Sequence, residues 1–214
     1  MGIAERRTRE RDHRRSAILD AARRQFLAQG LEQVRMSQIA DEAELSKGTI
    51  YLYFRDKTHL MYALLLEFLE DLRDRVVPVI DGSGRAVDKV AELVERYVAF
   101  HRDRREFFPL FHYLDYAFNA DGPTDATAEA CFAVIDELTG HVQQLLREGI
   151  ADGSFRDDID PNAYAVMYAH VIHSFMEHAV SREGFMRART GYEPEELMRR
   201  MFRMILDSLQ PQRK

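Results

Sequence analysis

One short segment near the N-terminus concentrates side chains that can bind a charged, polar partner. Hydroxyl, ammonium and phenol groups fall within residues 46–53, at Ser46, Lys47, Thr49, Tyr51 and Tyr53. Such groups donate hydrogen bonds to phosphate oxygens and to the edges of nucleic-acid bases. Gly48, which has no side chain, allows the backbone to approach a phosphate closely. The segment therefore predicts a surface that binds nucleic acid.

The sequence around this segment predicts two short helices that meet at a steep angle. Apolar residues at helical spacing would fill that angle, at Ile39, Ala43, Leu45 and Ile50. Ala40 is small enough to let the two helices touch, and Ser46 is placed to cap the second helix. Two short helices joined by a tight turn form a helix-turn-helix, which we predict over residues 36–54.

The distribution of charge supports a polyanionic partner for this end of the chain. The chain of 214 residues has a net charge of −6, yet residues 1–60 hold 12 Lys and Arg against 9 Asp and Glu. The remainder holds 18 basic and 27 acidic residues. A basic head on an acidic chain favours contact with a polyanion through that head. The alternative to a basic head that binds a polyanion is a solvated arm of mixed charge. The alternative to the helix-turn-helix is a pair of ordinary short helices in a helical bundle.

Helical periodicity along almost the whole chain predicts an all-α fold of about nine helices. Apolar residues recur every three to four positions, and no stretch alternates with the period of a strand. Proline, glycine and acidic residues mark the ends of the helices. One helix is predicted from Asp56 until Pro78, a long one over about 124–149, and the last two over about 161–181 and 194–209.

Several classes of protein and of site are disfavoured by the sequence. No run of 18 apolar residues is present and the N-terminus is charged, which argues against a membrane-spanning helix and a secretory signal peptide. The single cysteine, Cys131, cannot form an internal disulfide, as expected for a cytoplasmic protein. No nucleotide-binding loop or nucleophile elbow is present, so we predict neither an enzyme nor a bound cofactor. His170 and His173 share a helix face but lack further ligands at a recognised spacing, which argues against a metal site.

The segment from Ser46 to Phe54, followed by Lys57 and Leu60, resembles the signature of the TetR family of bacterial transcriptional regulators. Two preceding runs match the same pattern, Ala21-Ala22-x-x-x-Phe26-x-x-x-Gly30 and Ile39-Ala40-x-x-Ala43. The resemblance therefore supports the helix-turn-helix over its competing interpretation as two ordinary helices.

This resemblance implies a division into two domains and a mode of action. Residues 1–58 would form a three-helix DNA-binding domain, and residues 59–214 a larger helical domain that binds an effector and dimerises. A homodimer would bind a palindromic operator in double-stranded DNA, most simply as a repressor, and a small hydrophobic or aromatic effector would release it. The competing interpretations are an architectural DNA-binding protein without an effector and, less favoured, a helical enzyme.

By the same resemblance, the DNA contacts come from the motif and its flanks, at Arg35, Ser37, Ser46, Lys47, Gly48, Thr49, Tyr51, Leu52, Tyr53 and Lys57. Lys47 and Lys57 would bind phosphates, while Thr49 and Tyr51 would reach into the major groove. Two positions depart from the family pattern. Arg35 stands where Thr or Ser often opens the first helix of the motif, and Glu44 stands where the turn usually has glycine.

The last two predicted helices are candidates for the dimer interface. The final helix has a broad apolar face, and we predict the interface at Leu197, Met198, Met201, Phe202, Ile205 and Leu209. The preceding helix is apolar on nearly all sides, so the two helices of each copy would pack against those of the other around a two-fold axis. The alternative is a helix that is central to its own chain.

Aromatic residues and histidines of the second domain are candidates for the effector site. Ligand pockets are mostly apolar with a few placed polar groups. We predict that the effector contacts Phe107, Phe111, His112, Tyr116, Tyr164, Tyr168, His170 and Phe175. His101 and His178 are further candidate sources of a polar contact. For each of these rings, the alternative is an ordinary place in the core.

Overall fold

The chain folds into α-helices, and the all-α prediction is confirmed. In this computed structural model, residues 2–111 and 125–211 are described, except for the side chains of Ile3 and of residues 109–111. These residues form nine α-helices and one 3₁₀ helix, and none of them lies in a β-strand. No helix in these ranges is long and apolar enough to cross a membrane.

The helices follow the chain in order. The first five are α1 (Ile3–Gln29), α2 (Met36–Glu42), α3 (Lys47–Tyr51), α4 (Lys57–Ile80) and α5 (Ala86–Asp103). A 3₁₀ helix (Arg105–Phe111) comes next. The remaining helices are α6 (Ala126–Ala151), α7 (Pro161–Ser181), α8 (Glu183–Thr190) and α9 (Pro194–Leu209). Helices α7 and α9 have the bounds that the sequence predicts for the last two long helices.

Helix α4 is longer than the sequence predicts. It continues past Pro78, the predicted end, and stops at Ile80. Proline removes one N–H donor from the helix. The last turn still closes, because the Asp81 N–H donates to the Val77 carbonyl at 2.9 Å.

The short helix α8 is missing from the prediction. Its two large apolar residues, Phe185 and Met186, are adjacent rather than at helical spacing, so periodicity gives no signal for it. The helix ends at Gly191, whose φ of 72° lies in the left-handed region that favours glycine.

Side-chain caps fix where two of the helices begin. The Thr49 N–H donates to Ser46 Oγ at 3.1 Å at the start of α3. The His59 N–H donates to Asp56 Oδ1 at 2.8 Å at the start of α4. Each cap satisfies an N–H group that the first turn leaves without a helical partner. Both caps are those that the sequence predicts.

The chain divides into two compact units. The first consists of Met1–Glu67 and the described part of Leu110–Cys131. The second consists of Phe68–Pro109 and the described part of Phe132–Lys214. The division therefore falls within α4, nine residues beyond the domain boundary that the resemblance suggests at residue 58.

Each unit buries a core of its own. The first unit buries apolar side chains from α1 to α4, including Ile18, Ala22, Phe26, Ile39, Ile50 and Leu60. Cys131 is buried there as well, and its thiol donates to the Tyr62 carbonyl at 3.3 Å. The core of the second unit joins side chains from α4, α5, α6, α7, α9 and the loop between α6 and α7, including Val76, Leu93, Leu145, Phe155, Tyr168 and Leu209.

Candidate nucleic-acid interface

Helices α2 and α3 form the helix-turn-helix that the sequence predicts. Ile39, Ala40 and Ile50 are buried, with at most 1% of each residue exposed. Ala43 and Leu45 are half-buried. The Leu45 N–H donates to the Ala40 carbonyl at 2.9 Å, which closes the turn between the helices. The positions expected to fill the angle between the helices are thus removed from solvent wholly or in part.

The turn between α2 and α3 holds Glu44 in a backbone conformation that favours glycine. Its φ is 55°, and no other non-glycine residue in the described ranges has a positive φ. For a residue with a Cβ atom, the left-handed region costs roughly 1–2 kcal/mol. This geometry gives a physical reason for the glycine that the family usually has here. The exposed carboxylate of Glu44 also puts a negative charge on the turn.

The surface of α3 and of the residue after it is open to solvent. Lys47 and Gly48 are exposed, Tyr51 is 48% exposed, and Leu52 is 80% exposed. A Cβ atom at position 48 would meet only Ser46 Oγ, at 3.9 Å, so packing does not require glycine there. The bare backbone at Gly48 is accessible to an anion.

The other predicted DNA contacts differ in exposure. Ser46 is exposed, and its hydroxyl lies 2.8 Å from that of the half-buried Thr49, so these two hydroxyls already bond to each other. Tyr53 and Ser37 are half-buried, whereas the side chain of Arg35 is exposed at the start of α2. The structure therefore brings these residues onto one helix-turn-helix, where six of them are exposed: Arg35, Ser46, Lys47, Gly48, Tyr51 and Leu52.

Lys57 is held by the protein itself. Its Nζ donates to the Leu31 carbonyl at 2.8 Å and to the Glu32 carbonyl at 2.9 Å. These bonds tie the start of α4 to the turn after α1. A phosphate contact by Lys57 stays a prediction, while its structural role is one that sequence reasoning missed. The partners lie 26 and 25 residues away along the chain, where spacing carries no signal.

A carboxylate on α2 fastens that helix to α1. Glu42 accepts hydrogen bonds from the side chains of Arg24 and Gln25. The bond from Arg24, and then that from Gln25, holds the pKa of the Glu42 carboxyl below its usual value. The carboxylate therefore stays charged through the neutral range and keeps α2 in position.

An aromatic cluster before residue 112 contains one of the predicted effector contacts. Phe107 is 3% exposed, and its ring lies 5.8 Å from that of Phe68. The rings of Phe100 and Phe108 also pack against Phe68, at 4.7 and 5.3 Å. Three other predicted contacts lie outside the described residues, namely the side chain of Phe111 and the residues His112 and Tyr116.

His101 lies in this aromatic cluster with both ring nitrogens unused. It is 1% exposed, and its ring lies 4.9 Å from that of Phe108. Among the described residues, no group forms a hydrogen bond with either nitrogen. Burial lowers the pKa of the His101 imidazole, and a contact with the Met176 backbone, which falls outside the geometry of a full hydrogen bond, partly opposes that shift. The neutral ring therefore offers one donor and one acceptor.

The remaining predicted effector contacts lie on α7. Tyr164 and Tyr168 pack edge to face at 5.6 Å as part of the core, and the Tyr168 hydroxyl bonds to Ser208 Oγ at 2.6 Å. Phe175 is half-buried, and His170 is exposed with Nδ1 2.8 Å from the Val166 carbonyl. Within the described ranges, no group of three or more His, Cys, Asp or Glu side chains is placed to hold a metal ion.

Helix α9 turns most of its predicted interface residues inward. Four of them are at most 7% exposed within the chain's own fold, Met198, Met201, Phe202 and Leu209. The other two, Leu197 and Ile205, are half-buried. The inner face is fixed by the ring of Tyr97 at 5.4 Å from Phe202. These four side chains therefore belong to the core of a single chain.

Four exposed apolar side chains of the second unit lie on α7 and α9, apart from Phe185 of α8 and Tyr192, which are also exposed. Val166, Met167 and Val171 of α7 are 48%, 50% and 45% exposed, and Met204 of α9 is 72% exposed. Sequence reasoning did not single out these residues. Because α7 is apolar on nearly all sides, periodicity cannot indicate which side stays uncovered.

Comparison with known proteins identifies a family whose sequence pattern matches the region of the helix-turn-helix. Residues 18–64 match the family described as bacterial regulatory proteins, tetR family. The HTH-type transcriptional repressor KstR2 of Rhodococcus jostii (strain RHA1) is 29% identical over 155 residues, which cover 69% of this chain and 70% of that protein. The sequence likeness thus includes the helix-turn-helix and extends beyond it.

Solved structures share the fold over most of the chain. The fatty acid degradation regulator FadR from Bacillus halodurans has a TM-score of 0.71 at 20% identity, covering 90% of this chain and 94% of that one. FadR from Bacillus subtilis, solved in complex with stearoyl-CoA, has a TM-score of 0.68 at 19% identity, covering 91% and 99%. At these identities, the likeness shows a common fold.

Proposed function

Through residues 18–64 the chain belongs to the tetR family of bacterial regulatory proteins, and on that premise we propose that it is a ligand-responsive repressor of transcription. A homodimer binds a palindromic operator in double-stranded DNA, and a small hydrophobic or aromatic effector releases it. Residues 1–58 act as the DNA-binding domain and residues 59–214 as the effector-binding and dimerisation domain. The protein acts in the cytoplasm, as a regulator rather than an enzyme.

The exposed face of α3 is the observation that carries this proposal. The Lys47 ammonium suits a phosphate, and the bare backbone at Gly48 admits a phosphate oxygen at close range. The Tyr51 hydroxyl can bond to a base edge or a phosphate. Leu52, which is 80% exposed, offers the kind of apolar contact that reads a thymine methyl group. DNA binding gives each of these exposed groups a partner.

The exposed apolar face of α7 supports the homodimer. Val166, Met167 and Val171 lie on one side of that helix and lack cover in the described chain. We propose that this face, with Met204 beside it, packs against the same face of a second copy around a two-fold axis. Such a dimer presents two α3 helices to DNA, and successive major grooves require them about 34–36 Å apart.

The unused polar atoms of His101 support an effector site in the second unit. A buried polar group without a hydrogen bond destabilises a fold by about 1–3 kcal/mol, so a ligand that pairs with it gains affinity. The ring of Phe108 beside His101, and that of Phe107 in the same cluster around Phe68, suit an apolar ligand body. We propose that a polar group of the effector bonds to His101. The effector acts by binding more tightly to a dimer state that fits the operator poorly.

Selection of bound sequences from random duplex DNA by the full-length protein tests the DNA-binding step. We expect a palindrome whose half-sites are about one helical turn apart. Lys47→Ala should weaken binding to every sequence and flatten the dependence of affinity on salt by about one unit of slope. Arg102→Ala, which removes an exposed charge from α5, is the matched control. Binding without any enriched sequence would favour the architectural interpretation.

Light scattering tests the dimer. Val171→Glu places a charge on the exposed face of α7 and should give a folded monomer, since Val171 is 45% exposed. Met201→Glu should instead unfold the chain, because Met201 is 7% exposed. A Val171→Glu protein that stays dimeric rules out this interface.

Release of labelled operator DNA tests the effector. Stearoyl-CoA is the first probe because FadR from Bacillus subtilis was solved in complex with it, and free long-chain and aromatic acids follow. His101→Phe keeps an aromatic ring of similar size and removes both ring nitrogens. The variant protein should therefore bind the active probe more weakly and keep its free energy of unfolding. If no hydrophobic or aromatic probe releases the DNA, the effector part of the proposal fails.

A further inference from the structure

The beginning of α1 is a cationic helix that precedes the segment matched by the family. Helix α1 begins at Ile3 and the match begins at residue 18, so about four helical turns lie ahead of it. Residues 4–16, called here the arginine extension, hold six arginines against three carboxylates, with Ala4 as their one apolar residue. Residues 4–14 are all exposed.

Several of these arginines continue the face by which α1 enters its core. Arg7, Arg11 and Arg15 follow one another at intervals of four residues, and Ile18 and Ala22 extend the same side of the helix. Ile18 and Ala22 are fully buried. The stripe that packs inside the unit therefore becomes a row of guanidinium groups toward the N-terminus. Glu5 and Asp12 fall on the other side of the helix, and Glu10 forms an ion pair with Arg14 at 2.6 Å.

The arginine extension leaves the core of the first unit beside the end of the helix-turn-helix. The Arg15 guanidinium lies 5.6 Å from the centre of the Phe54 ring, and Phe54 follows the end of α3 at Tyr51 by three residues. Arg15 also lies 3.5 Å from Glu67, which holds this point of the helix in place. From Arg15 back to Ile3 the helix spans about 18 Å, comparable to about five base pairs of DNA.

We propose that the arginine extension is a second DNA-contacting element, which binds backbone phosphates of the duplex that flanks the sequence read by α3. This inference rests on the proposed function. Arginine binds phosphate oxygens in a bidentate manner, and a row of arginines beside the helix-turn-helix suits a row of phosphates. A helix that lies on a membrane surface buries large apolar side chains, and residues 4–16 contain none. The charge and the place of the extension therefore favour DNA.

A charge-neutral variant of the extension tests the proposal. In the full-length protein, Arg7→Gln, Arg11→Gln and Arg14→Gln are combined, because glutamine keeps a helix propensity close to that of arginine. The control combines Arg96→Gln, Arg102→Gln and Arg147→Gln, three exposed arginines of the second unit, with the same change in net charge. Circular dichroism and thermal unfolding establish that both variants are folded.

Two duplexes serve as probes, the selected palindrome with about ten flanking base pairs on each side and the same palindrome without flanks. On the flanked duplex, we expect the extension variant to bind about tenfold or more weakly at low salt, with the slope of log affinity against log salt reduced by about two or more. On the trimmed duplex it should bind nearly as well as the wild type. The control variant should match the wild type on both.

The other outcomes separate this inference from the proposed function. Equal affinity and equal salt slope for wild type and extension variant on the flanked duplex overturn the role of the extension and leave the proposed function standing. Absence of binding to any duplex by the wild type overturns both. If the variant keeps its DNA affinity but no longer binds vesicles of phosphatidylglycerol, the extension serves a membrane surface and the proposal is wrong. Deletion of residues 2–14 repeats each readout with a second variant.

Discussion

The two units of the chain place their polar groups in opposite ways. In the first unit, the groups suited to DNA are exposed on α3, and a short-range bond from Thr49 to Ser46 caps the helix that presents them. In the second unit, charged groups are drawn into the fold. Lys89 is 7% exposed, and it donates to the Ile80 carbonyl and to Glu148 at 2.8 Å each.

Substitutions of exposed groups on α3 should therefore change DNA binding, whereas substitutions of enclosed groups should change stability. A side chain such as Lys47 contacts little of its own unit, so its removal should change DNA affinity and leave the fold intact. The Lys89 side chain and the backbone at Gly149 are enclosed, so replacement of either residue should first change the free energy of unfolding. Lys57 is the exception in the first unit, because it is held by two carbonyl groups.

The largest effect is expected at Gly149 in the second unit. A Cβ atom there would overlap the ring of Phe155, which is 2% exposed and cannot easily move. Gly149→Ala should lower the free energy of unfolding by about 2–3 kcal/mol in a urea titration. Gly140→Ala on the same helix, where a Cβ atom meets nothing within 4 Å, should raise it by about 0.5–1 kcal/mol. Equal losses for both would mean that helix α6 does not pack as described.

Two lysines of the first unit allow an exposed side chain to be compared directly with one that is held by hydrogen bonds. Lys57→Ala removes two hydrogen bonds from a charged donor and should lower the free energy of unfolding by about 1–2 kcal/mol. Lys47→Ala should change the free energy of unfolding by no more than about 0.5 kcal/mol while weakening DNA binding. Urea titration and a DNA-binding assay on both proteins give the four values. Loss of stability in Lys47→Ala alone would reverse the assignment of the two side chains.

The free energy of unfolding should depend on pH through Asp71, a carboxylate of the second unit that is paired with two arginines. Burial raises the pKa of Asp71, but hydrogen bonds from Arg104 and Arg75 outweigh it and hold that pKa below its usual value. Because the pKa is lower in the folded than in the unfolded chain, the stabilisation is complete above about pH 4 and disappears as the pH falls through the folded-state value. Asp71→Asn should therefore lower the free energy of unfolding by about 1–2 kcal/mol at pH 7, and by less at pH 3.

The same comparison applies to Glu42 in the first unit, which has one arginine and one glutamine as partners. Its pKa is also lowered, so Glu42→Gln should show the same direction of pH dependence with a smaller loss at pH 7. A gap between wild type and Asp71→Asn that widens as the pH falls would contradict the sign of this effect.

The smallest effect is a gain, expected in the turn of the helix-turn-helix. Glu44→Gly relieves the left-handed strain at φ 55° and should raise the free energy of unfolding by about 0.5–1 kcal/mol. It also removes a negative charge from the turn, so DNA affinity should rise and its salt dependence should steepen slightly. Asp41→Gly, in the ordinary helical conformation of α2, should instead lower stability by about 0.5–1 kcal/mol. A loss in both proteins would place Glu44 in an unstrained turn.

The sequence predicts the helix-turn-helix of the first unit closely because this motif is built from local interactions. The cap at Ser46 and the buried spacing of Ile39 and Ile50 each involve residues a few positions apart, which periodicity and helix signals detect. Lys57 reaches a turn 26 residues earlier, and nothing in the spacing of the chain indicates that.

In the second unit, the sequence predicts which residues are apolar but not which face of a helix remains exposed. The final helix carries a strong apolar face, and packing against α5 and α7 uses that face within one chain. The exposed side is instead found on α7, where Val166 and Val171 are no more apolar than their buried neighbours. Choice of face depends on the full set of neighbours, which a single helix does not encode.

The buried thiol of Cys131 has a practical consequence for physical measurements. The chain has one cysteine, it is 2% exposed, and its thiol donates to the Tyr62 carbonyl, so thiol reagents should leave the folded protein untouched. A cysteine introduced at the exposed position of Asp41 would then be the one site for a spin label or a fluorescent dye. In a homodimer, the spectroscopic distance between two such labels would measure how far the two helix-turn-helix motifs move when an effector binds.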